Sequence, residues 1–367
     1  MSKKKLYVIT GEASGDLHGS NLVKELNTSN EIEVLGMGGE LLKAAGANIL
    51  HNYKEVNYMG FVDVAKHLRT ILKKISVIKK EIATIKPDAV LLIDFPSFNL
   101  RIAKFCKKIG VKVIYYISPQ IWAWKQGRVK QIKAYVDEMI CILPFEKEFY
   151  KKFDHSIHYV GHPLLDAMRT YPYNEKFIEE IKVKADHKPI IALLPGSRKS
   201  EIRSKLPVMT ELANLYKEKY QFVIAAAPGA DKSLYADTHL QVYYGETYNI
   251  LKASFAALVT SGTATLETAL HKVPQIVCYR TSEFNYQAAK RLIKVDYISL
   301  VNLILNKPAV VELIQRDLNI DRLKKEFENI TGNGRKQILQ DYNTLIEVLS
   351  ESGASKRAAG IIKKAIL

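Results

Sequence analysis

Two segments of the chain place carboxylates where a buried strand would end. Gly11-Glu12-Ala13-Ser14-Gly15-Asp16 follows the apolar run LYVIT (6–10), and Asp94-Phe95-Pro96-Ser97-Phe98-Asn99 follows AVLLI. Glycines in the first segment let the backbone pass close to a ligand, and Ser14 can cap the helix that follows. Its two acids would repel a phosphate, but carboxylates accept hydrogen bonds from sugar hydroxyls. The plainer use is a capped strand–helix turn with solvated acids. Asp94 is placed like a general base, because Pro96 and Ser97 look like helix-start residues and relieve it of capping. An Asx-type turn is the alternative.

A third segment, Ser118-Pro119-Gln120-Ile121-Trp122-Ala123-Trp124-Lys125, holds both tryptophans. Beside Lys125 and Arg128 they could stack on a sugar, sit at a lipid interface, or simply pack in the core. In the second half, IIALL runs into Pro195-Gly196-Ser197-Arg198, and AALVT runs into Ser261-Gly262-Thr263-Ala264-Thr265-Leu266-Glu267. The first of these offers helix N–H groups and a guanidinium to an anion, as a diphosphate requires. The second is another strand–glycine–helix start, with Glu267 one turn in and able to take two ribose hydroxyls. Together they describe a nucleotide-diphosphate pocket. His155, His158 and His162 do not make a metal site: on a strand the first two face opposite ways, and no Cys or carboxylate cluster completes a ligand set.

The elements that must position these groups are legible as alternation. Short Val/Ile/Leu-rich runs recur at 6–10, 32–38, 89–94, 112–118, 139–143 and 157–161, then at 190–196, 221–229, 241–245, 256–262 and 275–280. Helical patterns separate them. Continuous apolar runs mean strands buried on both faces, hence parallel sheets flanked by helices. The expected fold is α/β: two Rossmann-like, doubly wound domains. The seam falls in the polar stretch 162–188, which gives domains 1–163 and 164–340, and a C-terminal helical tail, 341–367. The length of 367 residues fits two domains, and 47% apolar with 25% charged residues is ordinary globular usage.

The net charge of +16 favours anionic partners. Cys106, Cys141 and Cys278 stand in apolar stretches and read as core residues of a reducing compartment. The basic amino terminus has an apolar run too short for a signal peptide, and no segment approaches the roughly 20 apolar residues of a spanning helix. A cytoplasmic protein with at most peripheral membrane contact is expected. In 57–85, Leu68, Ile71, Leu72, Ile75, Ile78 and Ile82 keep helical spacing among many lysines. That pattern is either a domain helix with a solvated basic face or a surface helix on anionic lipid, with Met59 and Phe61 as its wedge.

GEASGD, DFPSFN, SPQIWAWKQGR, LPFEKEFY, VGHPLLD, LLPGSRKSEI, SGTATLETAL and DYISLVNLI occur in this order. Together they closely resemble the lipid-A-disaccharide synthases, inverting glycosyltransferases, from residue 11 to the GASKRAAGII tail. The resemblance implies a GT-B fold, its two domains facing across a cleft. It implies transfer of 2,3-diacylglucosamine from UDP-2,3-diacylglucosamine to 2,3-diacylglucosamine 1-phosphate (lipid X), forming a β-1,6 disaccharide and UDP without a metal or other cofactor. It further implies a peripheral protein of the inner membrane and carboxy-terminal segments that can exchange in a homodimer. By motif, Gly196, Ser197, Arg198, Gly262, Thr263, Glu267 and Asn302 line the UDP side, although Val301 stands where many members have proline. Asp94 becomes the base for the acceptor hydroxyl, with Glu12 and Asp16 competing or supporting, and Ser14, Asn99, Trp122 and Trp124 face the acceptor.

The rival enzymes are a peptidoglycan N-acetylglucosaminyltransferase and a UDP-N-acetylglucosamine 2-epimerase. A nucleic-acid-binding protein is suggested by pI ≈ 9.4 alone. Without a stacked-aromatic RNA motif or a recognition helix, nucleic acid is not an expected partner.

Overall fold

The computed structural model describes residues 3–55, 67–292, 295–349 and 352–367. It contains two parallel sheets, each the centre of its own compact unit. The first has β1 (Lys4–Thr10), β2 (Ile32–Gly38), β3 (Asn48–Asn52), β4 (Ala89–Ile93), β5 (Lys112–Tyr116), β6 (Glu138–Cys141) and β7 (His158–Tyr159). Their spatial order is β3-β2-β1-β4-β5-β6-β7. The second has β8 (Ile190–Leu194), β9 (Gln221–Ala226), β10 (Gln241–Tyr244), β11 (Ser254–Thr260), β12 (Gln275–Tyr279) and β13 (Val311–Ile314), in the order β10-β9-β8-β11-β12-β13. In each sheet the chain winds outward one way, returns to the middle and winds out the other way. The reversal lies between β1 and β4 in one sheet and between β8 and β11 in the other.

The central strands form where the sequence runs apolar without alternation: β4 and β8 are buried at every residue. Helices cover both faces and contribute their own apolar stripes, for example Ile75, Ile78 and Ile82 of Leu68–Ile85 against Tyr7, Val90 and Leu92. The apolar stripe expected along that helix divides. Its second half is core, whereas Leu68 and Leu72 are 44% and 41% exposed among lysines. Met59 and Phe61 lie outside the described residues.

The first unit comprises Met1–Tyr171 with Leu349–Leu367, and the second Pro172–Val348. These limits differ from the expected 163 and 340 for physical reasons. The helix Leu164–Arg169 buries Leu164 and Ala167 in the first unit. The two tail helices go separate ways. Arg335–Val348 buries Ile338, Tyr342 and Leu345 in the second unit, where Gln275 Nε2 donates to the Tyr342 hydroxyl at 3.1 Å. Ala354–Ile366 packs along Ala13–Leu26 in the first, and Asp166 receives the backbone N–H groups of Gly353 and Ser355 at its start. No helix of the described residues is long and apolar enough to cross a membrane.

Candidate active site

In an open parallel sheet, ligands sit beyond the carboxyl ends of the strands where the winding reverses, because the loops there diverge and leave a crevice. Glu12 follows β1 and Asp94 follows β4, the two strands at the reversal of the first sheet.

Asp94 and Phe95 both adopt left-handed backbone, with φ of 45° and 49°. Two such residues in succession, neither of them glycine, store strain that the surroundings must hold. The Asp94 carbonyl accepts from the Tyr115 hydroxyl at 2.5 Å and from Asn99 Nδ2 at 2.7 Å. The Phe95 ring lies where a Cβ on Gly11 would come within 2.3 Å of it, so only glycine fits opposite. The Asp94 carboxyl takes the Phe95 N–H, at the cap position of the helix Pro96–Lys108. Burial, reinforced by the nearby Glu12 carboxylate, pushes the Asp94 pKa up to about 7, the range suited to a general base at neutral pH.

The other residues expected here divide. Glu12, extended and half-buried, takes the cap position of Ala13–Leu26, so Ser14 lies within the first turn and does not cap it. Asp16 is buried. Its carboxylate accepts from Gly39, Leu41 and Leu42 N–H at 2.7, 3.1 and 3.2 Å, holding the start of the helix Glu40–Ala44. Those bonds engage both carboxylate oxygens and correct the expectation of a base. Asn99 is fully buried and serves the backbone of the turn, not an acceptor.

Trp122 is core, edge-on to Phe145 at 4.9 Å. Trp124 is half-buried, with the Lys125 ammonium 4.3 Å above its ring. Arg128 flanks it and donates to Ser97 Oγ at 3.1 Å. Of the histidines, His158 pairs with Glu138 at 2.8 Å, and His162 is buried against His18. Among the described residues no group of three or more His, Cys, Asp or Glu could hold a metal ion.

Glu146 escaped the sequence reading. It is buried and accepts from Ile142 and Leu143 N–H at 3.1 and 2.9 Å, and its pKa is pushed to about 7, chiefly by burial. One glutamate in an acidic and basic helix start carries no sequence signal of such burial.

The second sheet repeats the arrangement with other residue types. Gly196 (φ 127°) and Gly262 (φ 123°) end the turns after β8 and β11. At the first loop the N–H groups are not open as expected. Those of Ser197 and Arg198 donate to Glu201 Oε2 at 3.1 and 3.4 Å, and the Arg198 guanidinium meets Glu201 Oε1 at 3.0 Å. Glu201 thus reaches back into the position an external anion would take, over Gly196, whose missing Cβ makes the room. Glu201 is the third residue of the helix, where a capping-box glutamate stands, but Arg198 occupies the cap position that the sequence signature reserves for Ser or Thr, so the sequence carried half of the signal.

At the second loop nothing lies within 4 Å of where a Gly262 Cβ would be, and no side chain at the cap position bonds the start of Thr263–Leu270. Glu267, one turn in, accepts from the Tyr248 hydroxyl at 2.9 Å, and burial raises its pKa. Asn302 does not face this pocket. It is buried and bonds Val310 through its carbonyl and amide groups, and Glu312 through its amide, tying down the loop after its helix.

Comparison with known proteins gives a consistent picture. Residues 6–365 match the family model described as lipid-A-disaccharide synthetase. The lipid-A-disaccharide synthase of Syntrophus aciditrophicus is 39% identical over 98% of this chain and 97% of its own length. That of Coxiella burnetii is 34% identical over the whole of both chains. Among solved structures, UDP-GlcNAc 2-epimerase from Neisseria meningitidis bound to UDP-GlcNAc superposes with a TM-score of 0.69 at 14% identity, covering 98% of this chain and 100% of that one. The calicheamicin glycosyltransferase CalG4 does so at 0.61 and 14%, covering 100% and 98%. At such identities the structures speak for the GT-B fold alone.

Proposed function

The chain belongs to the lipid-A-disaccharide synthase family, and from that premise we propose that it transfers 2,3-diacylglucosamine from UDP-2,3-diacylglucosamine to 2,3-diacylglucosamine 1-phosphate. The observation that carries the reading is the full-length family match, joined to two reversal points of opposite chemistry.

In this reading Asp94 takes the proton from the acceptor 6-hydroxyl as its oxygen attacks the anomeric carbon of the donor. The bond to UDP breaks on the opposite face, so the configuration inverts and the new linkage is β-1,6. A base near neutrality is worth roughly 10²–10⁴ in rate. Glu12 keeps the Asp94 proton affinity high and offers an acceptor for sugar hydroxyls. The departing diphosphate needs positive charge and N–H groups, which the helix start at Thr263 supplies, together with Arg198 and the N–H groups before Lys199 once Glu201 gives them up. Glu267 suits the ribose hydroxyls, and Trp124 with Lys125 and Arg128 suits the sugar phosphate of the acceptor.

The same reading places the enzyme peripherally on the cytoplasmic face of the inner membrane. Supporting this are the charge of +16 and exposed Leu68 and Leu72 on a helix carrying Arg69, Lys73, Lys79 and Lys80. A homodimer exchanging the helix Ala354–Ile366 belongs to it as well.

The test incubates the purified protein with both lipids in detergent and EDTA and follows products by mass spectrometry. Disaccharide 1-phosphate with equimolar UDP is the expected result. Turnover of UDP-N-acetylglucosamine without lipid would overturn the reading in favour of an epimerase.

A further inference from the structure

Lys205 lies one turn beyond Glu201 on the helix Lys199–Tyr216, on the face that also buries Ile202, Leu206 and Met209. It is 1% exposed. Its ammonium emerges at the last pair of β11 with β12, where Thr260 is in register with Cys278, and donates to Thr260 Oγ1 at 2.6 Å. Thr260 is the residue directly before Ser261-Gly262, and Glu201 and Arg198 of the other loop both act on the ammonium electrostatically. A buried cation therefore sits beneath both loops of the second reversal point.

For the fold alone this is a poor choice. An ammonium has three donors to satisfy, and here a neutral hydroxyl takes one of them. Among the described residues Lys205 has no ion pair, and desolvation is the largest influence on its pKa, driving it down. A methionine would fill the same volume without that penalty, since replacing buried charge by apolar groups is often neutral or stabilising. The closest acid, Glu201, is directed to the Ser197 and Arg198 N–H groups instead. Glu201 acts on the ammonium electrostatically without pairing with it, so among the described residues no carboxylate neutralises it directly.

We propose that Lys205 is a donor-recognition residue, whose buried ammonium is a fixed positive charge that draws the diphosphate of a nucleoside-diphosphate donor onto the loops Pro195–Arg198 and Ser261–Thr263. The inference rests on the reading that the donor binds at this reversal point. The low dielectric around Lys205 strengthens its field there, and the same field favours the diphosphate as it departs. Binding also draws Arg198 and the loop N–H groups away from Glu201, which links the cation to the exchange of one anion for another.

The test measures UDP and UMP binding by calorimetry, and melting temperature, for wild type, Lys205→Met, Arg198→Ala and the exposed control Lys217→Met. Lys205→Met is expected to bind UDP about tenfold more weakly, to lose less for UMP, and to melt at or above wild type. Lys217→Met, with the same change in net charge, should bind as wild type. Unchanged UDP affinity in Lys205→Met while Arg198→Ala binds weakly would overturn the proposal and leave the donor reading intact. Unchanged affinity in both would sink the donor reading itself. A Lys205→Met protein that does not fold would assign the lysine to the fold and likewise overturn the proposal. Lys205→Gln, which keeps a donor for Thr260 without the charge, repeats the measurement: weak UDP binding supports the charge, and wild-type binding refutes it.

Discussion

The two reversal points have one topology and opposite chemistry. Between β1 and β4 two acids face each other, and burial holds Asp94 near pKa 7. Between β8 and β11 the same positions in the winding hold Arg198 above and Lys205 below, with Glu201 as an internal counter-ion. The fold determines where a ligand can sit, and the residues at the loop ends determine what chemistry is done there. Two copies of one architecture thus hold two acids at one reversal point and two cations at the other.

The largest expected effect breaks the first half of that comparison. Asp94→Asn should lower the transfer rate by roughly 10²–10⁴ while UDP binds as in wild type, checked by product formation and calorimetry on the same preparation. Unchanged turnover would return the base to Glu12. The counterpart is Arg198→Ala, for which a loss of one charged hydrogen-bonding partner of about 1.5–3 kcal/mol should appear as weaker UDP binding. If the donor side were not here, UDP affinity would stay put.

Acidity sharpens the contrast further. A base must be ionised, so the rate should climb with pH through about 7 and then level off. Glu12→Gln removes the neighbouring negative charge and should shift that rise to lower pH; a rise that stays in place would disconnect the two acids. Stability carries the opposite sign. Asp94 binds its proton more tightly folded than unfolded, so folding loses stability as pH climbs from about 4 to 7. Asp94→Asn should therefore melt above wild type at pH 8, with the gap narrowing at pH 4.

Smallest in its effect on chemistry is Asp16→Ala. Losing a helix cap costs about 1–2 kcal/mol, so melting should fall while turnover per folded molecule changes little. A collapse of turnover at full stability would restore Asp16 as a base.

Much of this architecture was readable in advance. Eleven apolar runs marked strands because a strand covered on both faces must be apolar throughout. The strands β3 and β13 escaped, since they lie at sheet edges where partial exposure admits polar residues: NILHN and VELI show no continuous run. At Asp94, Glu12 and Arg198 the residue type and its place at a strand end were both legible, because local order fixes them. The pattern was misleading where a polar residue of a motif serves the backbone. Asp16 satisfies N–H groups of a segment 23 to 26 residues away, while Asn99 and Asn302 satisfy C=O and N–H groups 5 to 6 and 8 residues away, across the turns that flank their helices.

From the sequence alone come the alternation of strand and helix, the family, and the residue types at the strand ends, because each is written in local order and spacing. Tertiary structure alone decides which of two nearby acids is buried against the other, that Glu201 takes the N–H groups of Ser197 and Arg198, and that a lysine among lysines is buried against Thr260. Those outcomes depend on desolvation and on contacts between segments far apart in the chain, which no local pattern encodes.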